Sequence, residues 1–397
     1  MMVRRMAALL TIDEARAKVL GAVTALDADD VPVAAALGRV LVEDVAAAHD
    51  VPGFANSAMD GFAVRGGPAG RTLRIVGESR AGTPSPVPVA DGEAVRISTG
   101  AAIPDGADAI LPAEDAEDRG ATVIPTVDIR PGHHVRGAGE DLRASEVVLP
   151  AGTLLGPAEL GLAVEAGRAS VRCTRVPRVA VLATGDELVA PGEPLRHGQL
   201  HNSNAVTLAA LAVRAGADLA GATQVRDDAE ATRAAIERAL DGADALLLTG
   251  GVSVGPHDHV KPALAALGVD EVFWRVALRP GKPLWFGRRG AQLVFGLPGN
   301  PVSAMVCFML FARPALAAMQ GAPAPPPRAR AVLGAPVARQ RGRDEAVRVR
   351  LDDGRALPTG QQGSHQLHSM LGADALAIVP RGDGEAPAGT EVEIERI

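Results

Sequence analysis

Four short apolar runs, each closed by a turn of glycine, proline or acid, constrain this chain more than any other feature. Arg178-Val179-Ala180-Val181-Leu182-Ala183 runs into Thr184-Gly185-Asp186-Glu187, and Asp218 to Val225 runs into Arg226-Asp227-Asp228. Asp244-Ala245-Leu246-Leu247-Leu248-Thr249 runs into Gly250-Gly251-Val252-Ser253-Val254-Gly255-Pro256-His257-Asp258, and Gln292 to Leu297 runs into Pro298-Gly299-Asn300-Pro301. Helical patterns lie between them, at about Asn204 to Ala215, at Ala229 to Leu240, from near His259, and after Pro301 to about Met319. Strands alternating with helices predict an open parallel sheet. Such sheets bind ligands outside the carboxyl ends of their strands, which is where these turns fall.

The Gly250 turn is the most suggestive. A strand, a glycine turn and a helix together present backbone N–H groups to an anion, and glycine tolerates positive φ. Ser253 adds a hydroxyl and Asp258 a carboxylate at the helix entry. On its own the stretch reads equally well as a tight turn that only the fold needs. A further run, Val272-Phe273-Trp274-Arg275-Val276, leads into Arg279-Pro280-Gly281-Lys282-Pro283.

Elsewhere the rhythm differs. Thr11-Ile12-Asp13-Glu14 has the spacing of a capping box ahead of Ala15, Val19 and Val23, so a helix is expected there. A second helical piece is expected at Ala34 to Leu41. The stretch from Asp50 to Val64 is too long for a simple turn and holds Asn56, Ser57 and Asp60 without a hydrophobic period. From Leu73 to Pro150, short β runs between glycines and prolines indicate a small β-rich domain. Two of its loops stand out: Ser98 to Asp108, which follows a strand with hydroxyls and a glycine, and Arg136-Gly137-Ala138-Gly139-Glu140-Asp141, whose acidic pair is more often a solvated turn than a metal site unless the fold brings partners to it. A short helix is expected at Glu159 to Gly167. Ala322 to Pro327 has the composition of a linker, and the β runs after it, with Gln361-Gln362-Gly363-Ser364-His365 between two of them, suggest a second small β domain.

Composition narrows the function. A net charge of -7 with 2% aromatics and no Tyr argues against a nucleic-acid binder, which needs basic surplus and stacking platforms. Two distant cysteines, Cys173 and Cys307, offer neither a disulfide framework nor a thiolate metal site. The apolar run Met6 to Leu10 is too short for a signal segment, and no run of about eighteen apolar residues follows, so a cytoplasmic protein without membrane partners is expected. The α/β turns collect hydroxyls (Thr184, Ser203, Thr249, Ser253, Ser303), acids (Asp186, Glu187, Asp227, Asp228, Asp258) and bases (Arg275, Arg279, Lys282). Glycine turns with bases suit phosphate. The acids suit Mg²⁺, which takes one or two carboxylates with substrate phosphate, or the amino-pyrimidine edge of a base or pterin. With no Walker motif and no GxGxxG at the first strand, the residues point to a Mg²⁺-assisted enzyme on a phosphorylated or nucleotide-like ligand.

Five motifs in order, Pro52-Gly53-Phe54 with Asn56 to Gly61, Thr184 to Leu188, Gly250 to Gly255, Pro280 to Pro283 and Leu297 to Pro301, resemble the MoeA-type molybdopterin molybdenumtransferases, whose relatives include gephyrin. The likeness runs from about Thr11 to the C-terminus. It implies a multidomain α/β and β chain with four domains. These are a discontinuous helical dimerisation domain (1–49 and 150–176), a β-rich insertion (50–149), an α/β molybdopterin-binding domain with a mostly parallel sheet (177–321) and a C-terminal β barrel (328–397). The family inserts molybdenum from molybdate into adenylylated molybdopterin with Mg²⁺ and releases AMP. It works as a homodimer, with the site between the α/β domain of one subunit and the β-rich domain of the other. Other cofactor-biosynthesis proteins are possible partners. Asp60, Thr99, Asp141, Glu187, Asp228, Asp258 and Lys282 match the family's catalytic positions. Gly251, Ser253, Arg275, Arg279, Pro298, Asn300, Pro301 and Ser364 match ligand-binding ones, with Glu187 and Asp228 as metal ligands.

There are departures. Arg275 and Arg279 stand where Lys is common, and a planar fork is not a point charge. Asn202 in His201-Asn202-Ser203-Asn204 replaces a usual acid, and Phe62 and His259 replace frequent tyrosines. Tungstate is an alternative oxyanion. Two other functions fit the sequence less well. An adenylyltransferase that prepares the ligand is disfavoured by the additional domains, and a clustering scaffold by the lack of a second α/β domain.

Overall fold

The computed structural model describes residues 9–251, 259–322 and 328–397. Ser253 and Asp258, and most of the proline linker, lie outside these residues. The described chain divides into two compact units. One comprises residues up to Asp29, Gly38–Val42 and Cys173–Ile397; the other comprises Asp30–Leu37 and Glu43–Arg172.

The larger unit is built on a six-stranded sheet, whose strands are numbered here in chain order. They are β1 (Arg178–Thr184), β2 (Asp218–Val225), β3 (Ala245–Thr249), β4 (Asp270–Trp274), β5 (Trp285–Arg289) and β6 (Gln292–Leu297). Their spatial order is β2-β1-β3-β6-β5-β4. The four strands read from the sequence pair in parallel. The sheet is mostly parallel, as expected, and the exception lies at the other edge, where β5 runs antiparallel to both β6 and β4. The cause is local. Only Gly290-Ala291 separates β5 from β6, with Gly290 at φ +60, and a two-residue turn joins only antiparallel strands. Because β4 is antiparallel to β5, it points the same way as β6. The ends of β1, β2, β3, β4 and β6 therefore share one edge with the start of β5, which follows the Lys282 turn.

Alternation sorts side chains to two cores. Val179, Val181, Leu247 and Phe295 pack on one side of the sheet, and Ala180, Leu182, Leu246, Leu248 and Val294 on the other. The first core also receives the helix Ile12–Leu20, which buries Ile12, Ala15 and Val19. Its capping box forms as read: Glu14 N–H donates to Thr11 Oγ1 at 3.1 Å, and Thr11 N–H to Glu14 Oε2 at 2.8 Å. The same core is filled by the helical stretch Pro301–Met319, of 19 residues and mean hydropathy 1.8. It is long and apolar enough to cross a bilayer, against the expectation of no such run, but 78% of it is buried inside the protein. A bidentate pair of Arg175 with Asp244 (2.7 and 2.6 Å) ties the entry of β1 to that of β3. Burial raises the Asp244 pKa, but Arg175 and the Arg178 N–H outweigh it and hold the carboxyl below its ordinary value.

Five C-terminal strands, Ala329–Leu333, Asp344–Asp352, Arg355–Pro358, Ala375–Val379 and Glu391–Arg396, close into a barrel, because Asp344–Asp352 pairs with both Arg355–Pro358 and Ala375–Val379. Leu278–Arg279 adds to this barrel beside Asp344 and Glu345.

The smaller unit holds another six-stranded sheet. Phe62, Val64, Ala94 and Leu111 fill one of its cores, and Ala63, Val95, Ile97 and Ile110 the other. The helix expected at Ala34 to Leu41 does not form. One 3₁₀ turn, Val33–Ala35, takes its place. Pro32 precedes that turn, and Gly38, at φ +74, breaks any continuation.

Candidate active site

The shared edge of the α/β sheet brings together groups that are far apart in sequence. At the end of β3 the chain turns through Gly250 (φ +88) and Gly251 (φ +60). Both must be glycine. A Cβ on Gly250 would stand 2.4 Å from Thr184 O, and one on Gly251 2.6 Å from Val260 Cγ2. The Thr184 hydroxyl would lie 2.9 Å from either Cβ; among the described residues it is buried without a hydrogen-bond partner. A buried hydroxyl left unpaired calls for an explanation, and this one lies at the edge where open α/β sheets bind ligands.

Beside this turn, Asn204 Nδ2 donates to Thr249 Oγ1 and to Gly299 O, both at 2.8 Å, and Thr249 Oγ1 donates to Pro298 O at 3.3 Å. Asn204 thus staples the β3 turn to the Pro298–Pro301 turn, a role that sequence reasoning missed. Pro301 opens the helix after β6. Asn300 Nδ2 donates to Ser364 Oγ at 2.9 Å, and Val302 N–H to Ser364 O at 3.1 Å. The barrel loop carrying Ser364 is therefore delivered to this edge.

That loop is folded by Arg348, which sequence reasoning also missed. Its guanidinium is buried and donates to Ser369 Oγ (3.1 Å), Gln361 O (3.4 Å) and Gly363 O (3.2 Å). Burial pulls its pKa down to about 10. The signal was in Ala346-Val347-Arg348-Val349-Arg350: Arg348 shares the alternating face of Ala346, which packs in the α/β core.

The bases sit on turns that touch. Arg275 N–H donates to Leu284 O at 2.8 Å and Val276 N–H to Lys282 O at 3.0 Å, so the Arg275 and Lys282 turns are zipped together. Gly281 makes this possible at φ +127, because a Cβ there would meet Cys307 Sγ at 2.8 Å. Arg279 is less available than expected. It pairs with Glu345 at 3.2 Å. Burial raises the Glu345 pKa, and Arg279 only partly offsets it.

The acids lie on the turns after β1 and β2. Asp227 N–H donates to Asp186 Oδ1 at 3.3 Å, which joins the two turns. Asp228 caps the helix Ala229–Leu240, accepting Ala231 N–H on Oδ1 at 2.7 Å. Asp186, Glu187, Asp227 and Asp228 are exposed. Among the described residues no group of three or more His, Cys, Asp or Glu is gathered for a metal. The donor set consists of hard carboxylate oxygens, with Asp228 already half engaged. It fits a Mg²⁺ that keeps its waters and takes one or two carboxylates with substrate phosphate, and does not fit a closed protein cage. Beside these turns, Gly185, Asp186, Glu193, Arg196, Gln224 and Arg226 help line a cleft of about 720 Å³.

In the smaller unit, Asp60 and Thr99 do meet. Thr99 N–H and Oγ1 both donate to Asp60 Oδ1, at 2.7 and 3.1 Å. Asp141 lies on a loop whose backbone bonds to Val51: Asp141 N–H donates to Val51 O at 3.0 Å. All three side chains are in exposed residues.

Two of the departures have structural answers. Asn202 is buried, caps the helix Ser203–Arg214 and donates from Nδ2 to Gln224 Oε1 at 3.0 Å, which an Asp could not do. Phe62 is core, with the Arg96 guanidinium 5.1 Å from its ring centroid.

Comparison with known proteins agrees with this construction. Three family models match: the MoeA N-terminal region (domains I and II) over residues 10–167, a probable molybdopterin binding domain over 180–318, and the MoeA C-terminal region (domain IV) over 330–397. The chain is 37% identical over 381 residues to molybdopterin molybdenumtransferase 2 of Mycobacterium tuberculosis, covering 92% of this chain and 94% of that one. It is 34% identical to molybdopterin molybdenumtransferase of Haemophilus influenzae, covering 98% of each. The crystal structure of a molybdopterin biosynthesis MoeA protein from Pyrococcus horikoshii superposes with a TM-score of 0.83 at 29% identity, over 98% of this chain and all of that one. The chain belongs to the MoeA family of molybdopterin molybdenumtransferases.

Proposed function

We propose that this enzyme inserts molybdenum from molybdate into adenylylated molybdopterin and releases AMP, with Mg²⁺, as a cytoplasmic homodimer. The observation that carries the reading is the convergence, on one edge of the α/β sheet, of the Gly250–Gly251 cradle, the zipped Arg275 and Lys282 turns and the joined acid turns. The ligand is anionic and the second substrate is a tetrahedral oxyanion. Their approach needs fixed positive charge, and Lys282 and Arg275 supply it on a backbone that does not have to reorganise. Gly251, Pro298, Asn300, Pro301 and Ser364 shape the seat of the pterin ligand. Arg279, tied to Glu345, screens rather than contacts. Glu187, with the free oxygen of Asp228, would hold Mg²⁺, which would polarise the phosphate bond to AMP. Asp60, Thr99 and Asp141 serve the reaction rather than the binding. Asp60 takes two hydrogen bonds from Thr99 on one oxygen and keeps the other for a substrate proton or a cation. Ser253 and Asp258, next to the glycine cradle in sequence, complete the set.

The test is direct. The purified chain is incubated with adenylylated molybdopterin, Mg²⁺ and molybdate, and AMP release is followed alongside metal bound to pterin. Molybdate-dependent release with metal-loaded pterin is the expected result. Tight ligand binding with neither product rejects the transferase reading, and the same reaction with tungstate alone revises its oxyanion.

A further inference from the structure

The cleft beside the acid turns has a wall that the proposed chemistry does not use. Residues 190–199 leave the α/β sheet and return to it at a neck, where Leu188–Val189 pairs in parallel with Leu200–His201. The neck is braced from β2. Gln224 donates from Nε2 to Leu188 O at 2.8 Å and accepts Asn202 Nδ2 at 3.0 Å. Inside the loop, Arg196 N–H donates to Gln199 Oε1 at 2.9 Å. His201 reaches back from the neck, and its Nε2 lies 3.0 Å from Glu193 O. A carbonyl only accepts, so this Nε2 carries the proton, in the neutral ring and in the imidazolium alike. The latch therefore holds in both protonation states. A compact loop with closed ends that is tied to itself in this way is a common carrier of function.

Arg196, Leu195 and Glu193 of this loop, Leu188 of its neck, and Asp186 and Arg226 of the turns after β1 and β2 line the cleft. Its volume of about 720 Å³ is that of a small-molecule site, roughly 300–1,000 Å³. Among the described residues, neither the Arg196 nor the Arg226 guanidinium has a hydrogen bond or an ion pair. The mixture of cations, acids and apolar side chains is selective. The carboxylates would repel a bare oxyanion, and the guanidiniums a bare metal ion. A nucleoside monophosphate uses all three: guanidiniums take its phosphate, a carboxylate accepts its ribose hydroxyls, and Leu188 and Leu195 offer apolar surface to its base. We infer that this cleft is the nucleotide subsite of the enzyme, taking the adenylate half of its ligand, with Arg196 and Arg226 on the phosphate and His201 as the positioning residue that holds the Arg196 loop. The inference rests on the proposed function for its adenylylated substrate. The strand order puts the cleft on the β2–β1 side of the ligand edge and the Gly250 and Pro298 turns on the β3–β6 side. The two halves of an adenylylated ligand thus lie on adjoining parts of one edge. A loop that only covers the end of the sheet is the competing account.

The full-length protein is titrated by calorimetry with AMP, with inorganic phosphate and with molybdopterin that carries no adenylate. Wild type should bind AMP saturably and phosphate far more weakly. R196Q and R226Q should each bind AMP roughly tenfold more weakly and molybdopterin as wild type does. H201F, which cannot donate to Glu193 O, should lose AMP affinity several-fold, and H201Q, which can, should recover most of it. In turnover, all but H201Q should raise KM for adenylylated molybdopterin more than they lower kcat. No saturable AMP binding by wild type, or wild-type AMP affinity in both arginine variants, overturns the inference. So does phosphate binding as tightly as AMP, which would make the cleft an anion seat, or an equal loss of molybdopterin affinity, which would assign it to the pterin half. Should H201F fail to fold, the arginine variants, altered only at exposed side chains, decide alone. Wild-type AMP release is measured separately. An active enzyme whose AMP affinity ignores both arginines defeats this inference only, and an inactive one whose AMP affinity depends on them defeats only the proposed function.

Discussion

The α/β edge and the Asp60–Thr99 loops hold functional groups in opposite ways. At the edge, backbone does the work. Gly250 and Gly251 turn against a buried Thr184, Asn204 staples two turns, and a buried Arg348 folds the Ser364 loop. In the smaller unit, the Asp60 carboxylate is held by two hydrogen bonds from Thr99, on exposed residues. The contrast teaches that fold and function are inseparable at the first site and separable at the second. Substitutions should therefore split the two regions by whether stability falls along with activity.

The largest effect is expected at Gly250→Ala. Its Cβ meets a carbonyl that cannot move without shifting β1, at a φ that alanine disfavours. A loss of about 3 kcal/mol of stability and essentially all activity should appear in chemical denaturation and AMP release. A stable, active Gly250→Ala protein would break the comparison at its stronger end. Next comes Asp60→Ala, for which AMP release should fall roughly a hundredfold, within the range usual for general acid–base groups, with the melting temperature unchanged. A parallel fall in melting temperature would erase the distinction between the regions.

Asp228 sharpens the comparison because it belongs to the edge and yet is exposed. As a helix cap, Asp228→Asn should keep stability while Asp228→Ala loses about 1 kcal/mol. If its charge also matters to Mg²⁺, both lose activity alike. Full activity in Asp228→Asn would leave it a cap and nothing more. The smallest effect concerns Glu345, whose raised pKa means that the folded protein favours the protonated form. Its contribution is greatest below the ordinary carboxylate pKa and is lost as pH rises through the folded value. Glu345→Gln should thus raise the melting temperature slightly at neutral pH, with the gain vanishing in acid. A lowered melting temperature at neutral pH that recovers in acid would show that the Arg279 pair outweighs burial.

The sequence made the edge legible where chemistry and turn coincide: the acids after β1 and β2, the glycine pair after β3 and the prolines after β6 all fall at strand ends. It did not reveal β5, which lay hidden between a Pro-Gly-Lys-Pro turn and a two-residue turn, and with β5 went the reason why Lys282 and Arg275 adjoin. Arg348 escaped because an arginine in an alternating strand is read as solvent-facing, whereas this barrel face packs on the α/β core. Asn202 and Phe62, read as departures near the ligand, turned out to be a cap and a core residue.

The central claim is that the α/β edge binds the pterin ligand while the Asp60–Thr99 pair serves its conversion. The most direct measurement compares Asp60→Ala and Lys282→Gln, taking the Kd for adenylylated molybdopterin and the single-turnover rate of molybdate-dependent AMP release on the same preparations. The account predicts that Asp60→Ala binds as wild type does and releases almost no AMP, whereas Lys282→Gln binds roughly tenfold more weakly or worse. Wild-type release from Asp60→Ala, or wild-type binding by Lys282→Gln, would contradict it.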